Sequence, residues 1–191
     1  MQTPDDRRLW IAVKTFYAQE GKVSRYLDQH QTQHFIPMMT HTVMDQDGKV
    51  RHRKQPAVHN LIFIPVGENR DGIQKILTDC PYTNYVYRRV DHPEEWCLIP
   101  DHDMMDLRLM CDNSLNRPLV LSTRECEMKV GHAVRIVHGP MTGLCGKLIR
   151  KNKKYYIVKS FEGFGMAVVV SRWCCVPDEN ADNIENNTIT E

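Results

Sequence analysis

Gly131-His-Ala-Val-Arg-Ile-Val-His-Gly-Pro-Met-Thr-Gly-Leu-Cys-Gly146 reads as a β-strand, a tight turn and the start of a second strand. Val134, Ile136 and, less strictly, Val137 supply the apolar side chains that a barrel strand buries. Gly139-Pro140 stops the strand, because proline fixes φ and offers no N–H. Gly143 and Gly146 permit backbone geometry that a Cβ would obstruct.

Together these residues resemble the KOW motif, with its V-R-I-x-x-G-P-x-x-G-x-x-G core. A second resemblance lies at the other end of the chain. Leu9-Trp-Ile-Ala-Val-Lys-Thr-Phe16 is similar to the opening strand of the NusG N-terminal domain. Gln19 to Leu27 is similar to its first helix, and Phe35-Ile-Pro37 to the strand that follows. The chain thus resembles the NusG family of transcription elongation factors. Within that family it is most like the specialised RfaH- and UpxY-type antiterminators. The resemblance implies an N-terminal domain over residues 8–112 and a linker over 113–127. It implies a KOW domain over 128–177, with a disordered acidic tail over 178–191.

The 191 residues, 41% of them hydrophobic, suffice for one large or two small cores. Formal charge is only +1, but it is unevenly spread. Lys129 to Pro177 holds nine lysines and arginines against the single acid Glu162. The stretch from Asp178 to Glu191 holds five acids and no base. A basic module suits an anionic partner, and a solvated surface is the alternative. No run approaches a membrane span, and the first thirty residues lack a signal-peptide core, so a cytoplasmic monomer is expected. Seven cysteines, none spaced CxxC, read as reduced thiols.

Hydrophobic periodicity predicts strand, helix, three strands, helix, strand and helix over the first 112 residues. This is an α+β arrangement, a mostly antiparallel sheet with helices packed on it. Asp47-Gly48 signals a hairpin, and Lys49, Arg51 and Arg53 alternate along its return. The region 128–177 offers several short strands, as in an SH3-like barrel. Val168-Val-Val170 and Tyr155-Tyr-Ile-Val158 are strong β formers, which argues against a switch to helix.

Three surfaces are candidate sites. Leu61 and Phe63 share one strand face, and Tyr85 and Tyr87 share another; plain core is the alternative. The resemblance implies that these residues grip the clamp helices of RNA polymerase. There Val58-His-Asn-Leu61 stands where the family has Phe-Pro-Gly-Tyr or Phe-Pro-Asn-Tyr, so Leu61 replaces an aromatic. Lys14, Lys22 and Arg25 form the second candidate, a basic face that the resemblance turns toward non-template DNA in the transcription bubble. Phe16, Tyr17 and Gln19 are nearby candidates for stacking on bases. The third candidate is the Gly-rich loop bearing Phe161, Phe164 and Met166. The corresponding loop in the family contacts termination factor Rho or a small-subunit ribosomal protein; a Phe that closes the barrel is the alternative. Lys147, Arg150, Lys151, Lys153 and Lys154 make a basic hairpin that suits RNA or serves solubility.

No cofactor or metal site is expected. Asp101-His-Asp103 reads as helix-start chemistry rather than as ligands. The chain carries no nucleophile set, P-loop or dinucleotide motif. The reading is a non-enzymatic antitermination or elongation factor that binds RNA polymerase, on particular operons such as surface-polysaccharide loci. A housekeeping NusG and a KOW-type RNA-binding protein of the translation machinery are the alternatives.

Overall fold

The structure, a computed structural model, describes residues 8–44, 47–67, 69–89, 91–112, 119–121, 131–161 and 164–178. The chain divides into two compact units, Met1–Arg108 and Leu109–Glu191. In the first, strand β1 (Leu9–Thr15) is central. One edge pairs antiparallel with β4 (Leu61–Val66), from Leu9↔Val66 to Lys14↔Leu61. The other edge is shared end to end by β5 (Asn84–Val86) and β6 (Leu98–Pro100). β6 is not anticipated by the sequence pattern. It is three residues long and ends in proline, so its periodicity is too short to read. β2 (Met38–Met44) and β3 (Val50–Pro56) form a separate hairpin arm, turning at Gly48 with φ of 75°.

Period-two geometry divides β1 between two faces. Ile11 and Val13 join Ile62 and Ile64 on one. Helices α1 (Glu20–Gln29) and α2 (Arg70–Asp79) cover that face with Val23, Leu27, Ile73 and Leu77, and Val86 and Trp96 complete this core. Val23, Tyr26, Leu27 and His30 fall at i, i+3, i+4 and i+7 along α1 and its C-cap, a spacing that predicts one buried face; Val23 and Leu27 are buried, Tyr26 is half-buried and His30 is exposed. Asn69 caps α2 by accepting from the Gly72 N–H at 3.1 Å. α3 (Asp101–Cys111) follows β6 directly, and Met104, Leu107, Met110 and Cys111 are buried as its spacing predicts.

The opposite face of β1 carries Trp10, whose indole N–H donates to Asp101 Oδ1 at 2.7 Å, both groups being buried. This bond ties the start of α3 to the sheet. Replacing Asp101 by alanine leaves a buried donor without its acceptor, so Asp101→Ala is expected to lose about 1–3 kcal/mol of stability. Asp101→Asn retains an oxygen and should recover most of the loss. Urea unfolding followed by tryptophan fluorescence measures both variants.

The second unit is a six-stranded antiparallel sheet in the order β12-β8-β9-β10-β11-β7. The strands are β7 (Leu119–Leu121), β8 (His132–Ile136), β9 (Cys145–Lys151), β10 (Lys154–Phe161), β11 (Phe164–Val170) and β12 (Cys175–Pro177). Both β-forming runs named above lie in strands, β10 and β11. Two glycines of the opening stretch are dictated by geometry. Gly143 has φ of 97°, where a side chain is strained. A Cβ on Gly146 would lie 2.6 Å from the Val158 carbonyl oxygen, so only glycine lets β9 and β10 approach. β7 falls within the expected linker: Leu-Val-Leu finds a partner in β11, while residues 113–118 and 122–130 lie outside the described residues. Asp178, expected to open a disordered tail, is buried. Its N–H donates to the Ala133 carbonyl and its carboxylate accepts from Arg135 at 3.1 Å. The rest of that tail lies outside the described residues.

Candidate functional site

Antiparallel partners share a sheet face, so register alone assembles the first candidate site. Ala12 pairs with Phe63, and Lys14 pairs with Leu61 on one side and Tyr85 on the other. Tyr87 donates its N–H to Ala12 and lies 6.4 Å from Tyr85, ring edge to face. Leu61, Phe63, Tyr85, Tyr87 and Lys14 therefore lie on one surface, opposite α1 and α2. They differ in depth. Phe63 is 1% and Leu61 4% exposed, whereas Tyr85 is 50% exposed and Tyr87 half-buried. Phe63 and Leu61 are thus core in this structure, the alternative noted for them. Burial speaks against direct contact for these two, which lie beside the tyrosines across β1 on the same face.

An aromatic and cationic stack accounts for part of that burial. The Phe35 and Phe63 rings lie 6.4 Å apart, and their backbones form an isolated bridge. The Arg108 guanidinium of α3 sits 4.8 Å from the Trp10 ring centre and 5.0 Å from that of Phe35. Arg8 also lies over Trp10, at 4.8 Å. Burial lowers the Arg108 pKa, Asp101 opposing and Arg8 reinforcing the shift. Sequence reasoning missed this stack. Only the alternation of Trp10 with Ala12 and Lys14 signals it, because the arginine arrives from a helix nearly a hundred positions away.

Asn60 explains the substituted segment before β4. It adopts φ of 63°, and its side-chain oxygen accepts from the Ala18 N–H at 2.8 Å. Glycine and asparagine are the residues that tolerate this conformation. The backbone requirement of Val58-His-Asn-Leu61 is met although its aromatic has become Leu61.

The predicted basic face is divided. Lys22 and Arg25 are exposed together on α1, one turn apart. Lys14 lies on the other side of the sheet, because it alternates with Val13, which packs beneath α1. The three do not make one surface. Lys14 instead lies over the Phe16 ring at 5.5 Å, beside Tyr17 and Ala18, both at positive φ, with Tyr17 strongly exposed. Lys22 lies 5.8 Å from the Tyr82 ring. Tyr82 and Tyr85 both line a groove along the β5 edge, with Gln74, Thr78, Asn84 and Arg88. On the hairpin arm, Lys49, Arg51 and Arg53 are exposed, as are Val50, His52 and Lys54 between them.

In the second unit, Phe161 is 9% exposed and Met166 fully buried. They alternate in phase with buried Ile157 and Val168 across the β10–β11 pair, so both point into the core. Phe161 thus fits the barrel-closing alternative, and Met166 of the predicted contact set is core as well. Phe161 pairs with Phe164 at the hairpin end, and Glu162 and Gly163 lie outside the described residues. The basic β9–β10 hairpin does form, through Asn152 and Lys153 at φ of 51° and 62°.

Among the described residues, no group of three His, Cys, Asp or Glu could hold a metal ion. Asp101, read as helix-start chemistry, serves as the acceptor for Trp10. The six described cysteines are free thiols, and burial pushes Cys111 up to about 12. No helix among the described residues is long and apolar enough to cross a membrane.

The first unit is thus a helix-backed antiparallel sheet with aromatic and cationic side chains on the face away from α1 and α2. The pattern of the NusG family, described as transcription termination factor nusG, matches residues 8–108, more than half of the chain, and the chain belongs to this family. It is accordingly a transcription elongation or antitermination factor in the broad sense, of a non-enzymatic family whose members bind RNA polymerase. No curated protein matches the chain.

Proposed function

We propose that this chain is a specialised antitermination factor of the RfaH and UpxY type, which holds RNA polymerase through Tyr85, Tyr87 and Lys14 and suppresses pausing on particular operons. The observation that carries it is the Tyr85–Tyr87 pair, exposed and half-buried, on the face of the NusG-type sheet away from α1 and α2, beside the buried Leu61 and Phe63. Aromatic anchors of this kind suit a helical partner laid across the face. The replaced aromatic at Leu61 supports a branch distinct from housekeeping factors. The Gly139, Gly143 and Gly146 pattern supports reading the second unit as a KOW module. A translation-machinery protein would leave the match over residues 8–108 unexplained. No bond need be made or broken: a coupling of ~1–3 kcal/mol that favours the clamped polymerase alters pause lifetimes about 5- to 150-fold.

Co-purification tests the reading: the tagged protein should recover RNA polymerase, and recovery of ribosomes alone would overturn it. Lys22 and Arg25 form the surface assigned to non-template DNA, with Lys14 serving the polymerase face instead. Lys22→Glu with Arg25→Glu is expected to reduce read-through in a reconstituted elongation complex by on the order of tenfold at low salt, and by less at high salt, as screening weakens phosphate contacts. Equal read-through at both salts would shift DNA contact to the arm bearing Arg51 and Arg53.

A further inference from the structure

Trp173 is 91% exposed, the most exposed large apolar side chain among the described residues. It sits in a single 3₁₀ turn, Arg172–Cys174, between β11 and β12. The turn is clamped on both sides. Cys174 donates its N–H to the Ser171 carbonyl at 3.0 Å, and its own carbonyl accepts from the Val137 N–H at 2.8 Å. The indole is therefore held out on a fixed backbone, so little further backbone order is lost on contact.

Strand pairing leads from this turn to a cationic hairpin. Val170, the last residue of β11, pairs with Tyr155 at the start of β10. Trp173 follows Val170 by three residues, a reach of at most about 11 Å. Tyr155 adjoins the β9–β10 hairpin, where Arg150, Lys151, Lys153 and Lys154 are all exposed and Arg150 lies 5.6 Å from the Tyr155 ring. Among the described residues, no carboxylate forms an ion pair with any of these four. Arg172 is exposed beside the indole. A protein hot spot ordinarily surrounds its tryptophan with apolar or neutral contacts that exclude water. An exposed ring on the turn that also carries Arg172, in a unit whose β9–β10 hairpin presents four more cations, suits a polyanion whose units carry flat faces, with the exposed Val169 and Val176 as the apolar margin.

We propose that Trp173, with Arg172 and the Arg150–Lys154 hairpin, forms a binding site for single-stranded nucleic acid, one base stacking on the indole while the cations follow the phosphates. The site is independent of the polymerase face, and it gives the basic second unit a function that Phe161 and Met166, being core, do not supply.

Titration of the full-length protein with a fluorescein-labelled single-stranded 12-mer, as RNA in one arm and DNA in the other, tests this by anisotropy. Trp10 and Trp96 are buried, so quenching of tryptophan emission during the same titration reports on Trp173. Wild type is expected to bind with affinity that falls as salt rises, and with quenching. Trp173→Ala should bind about tenfold more weakly. Trp173→Phe should keep most of the affinity and lose the quenching. A variant with Arg150, Lys151, Lys153 and Lys154 changed to Glu should lose binding and its salt dependence. Tighter binding in one arm identifies RNA or DNA as the source, and equal binding indicates recognition without the 2′-hydroxyl. Absence of binding in both arms would overturn the proposal. So would a folded Trp173→Ala that binds like wild type. If that variant instead loses a protein from polymerase pull-downs, Trp173 is a protein contact and the proposal fails in that direction.

Discussion

Phe63→Ala is expected to lower the stability of the first unit by about 3–5 kcal/mol, the range for removing a buried aromatic. Phe63 is almost wholly enclosed on β4, paired with Ala12 of the central strand and stacked near Phe35. Truncation removes the ring's dispersion contacts and leaves a cavity, which the neighbouring β1 backbone, paired on both edges, is poorly able to fill. Phe63→Leu, which keeps most of the volume, should lose less than half as much. Thermal and urea unfolding of the full chain supply the measurement. An alanine variant as stable as wild type would show that Phe63 is not part of the core. The result also governs binding experiments: weakened polymerase association by a Phe63 variant reports on the interface only after correction for the unfolded fraction.

Tyr85→Ala is expected to act in the complementary way. Half of the side chain faces solvent, so its loss should change stability by less than about 1 kcal/mol. Its loss from an interface anchor should weaken polymerase association by about 2 kcal/mol, roughly thirtyfold. Tyr87→Ala should have a smaller effect, since that ring is less accessible and reaches a partner mainly through its edge contact with Tyr85. Biolayer interferometry against purified core polymerase distinguishes the two variants. Wild-type affinity in a Tyr85→Ala, Tyr87→Ala double variant would remove this face from the interface.

The legible parts of this fold are those with long, regular periods. The apolar alternation of Leu9, Ile11 and Val13, the helical stripes of α1, α2 and α3, and the aromatic and β-branched runs of β10 and β11 all express local geometry, and local geometry is written in adjacent residues. The glycines of the opening stretch were equally legible, since Gly143 and Gly146 meet demands that few residues satisfy. The three-residue strands β6 and β7 were not legible, being shorter than any period. Depth was not legible either. Period two puts Phe63 with Leu61 on one strand face and Tyr85 with Tyr87 on another, but says nothing of the register that joins them or of Arg108 and Phe35 nearby. The grouping of Lys14 with Lys22 and Arg25 failed for a related reason: nearness along the chain hid the sheet that separates them. Phe161 read as a loop residue because a Gly-rich run follows it, although its phase with Ile157 indicated the core.

The position of β1 has a consequence for biosynthesis. This strand is made before all of its partners, and the last of them, β6, follows about ninety residues later, an interval of roughly 5–20 s at ordinary translation rates. Until then the nascent Trp-Ile-Ala-Val segment offers unpaired backbone and a continuous apolar run to any passing chain. The high sequence separation of its pairings also slows closure once synthesis allows it. A chaperone that shields the first strand until Pro100 has been made would therefore raise the yield of folded protein, and slower translation of residues 15–60 should lower that yield more than slower translation beyond residue 112.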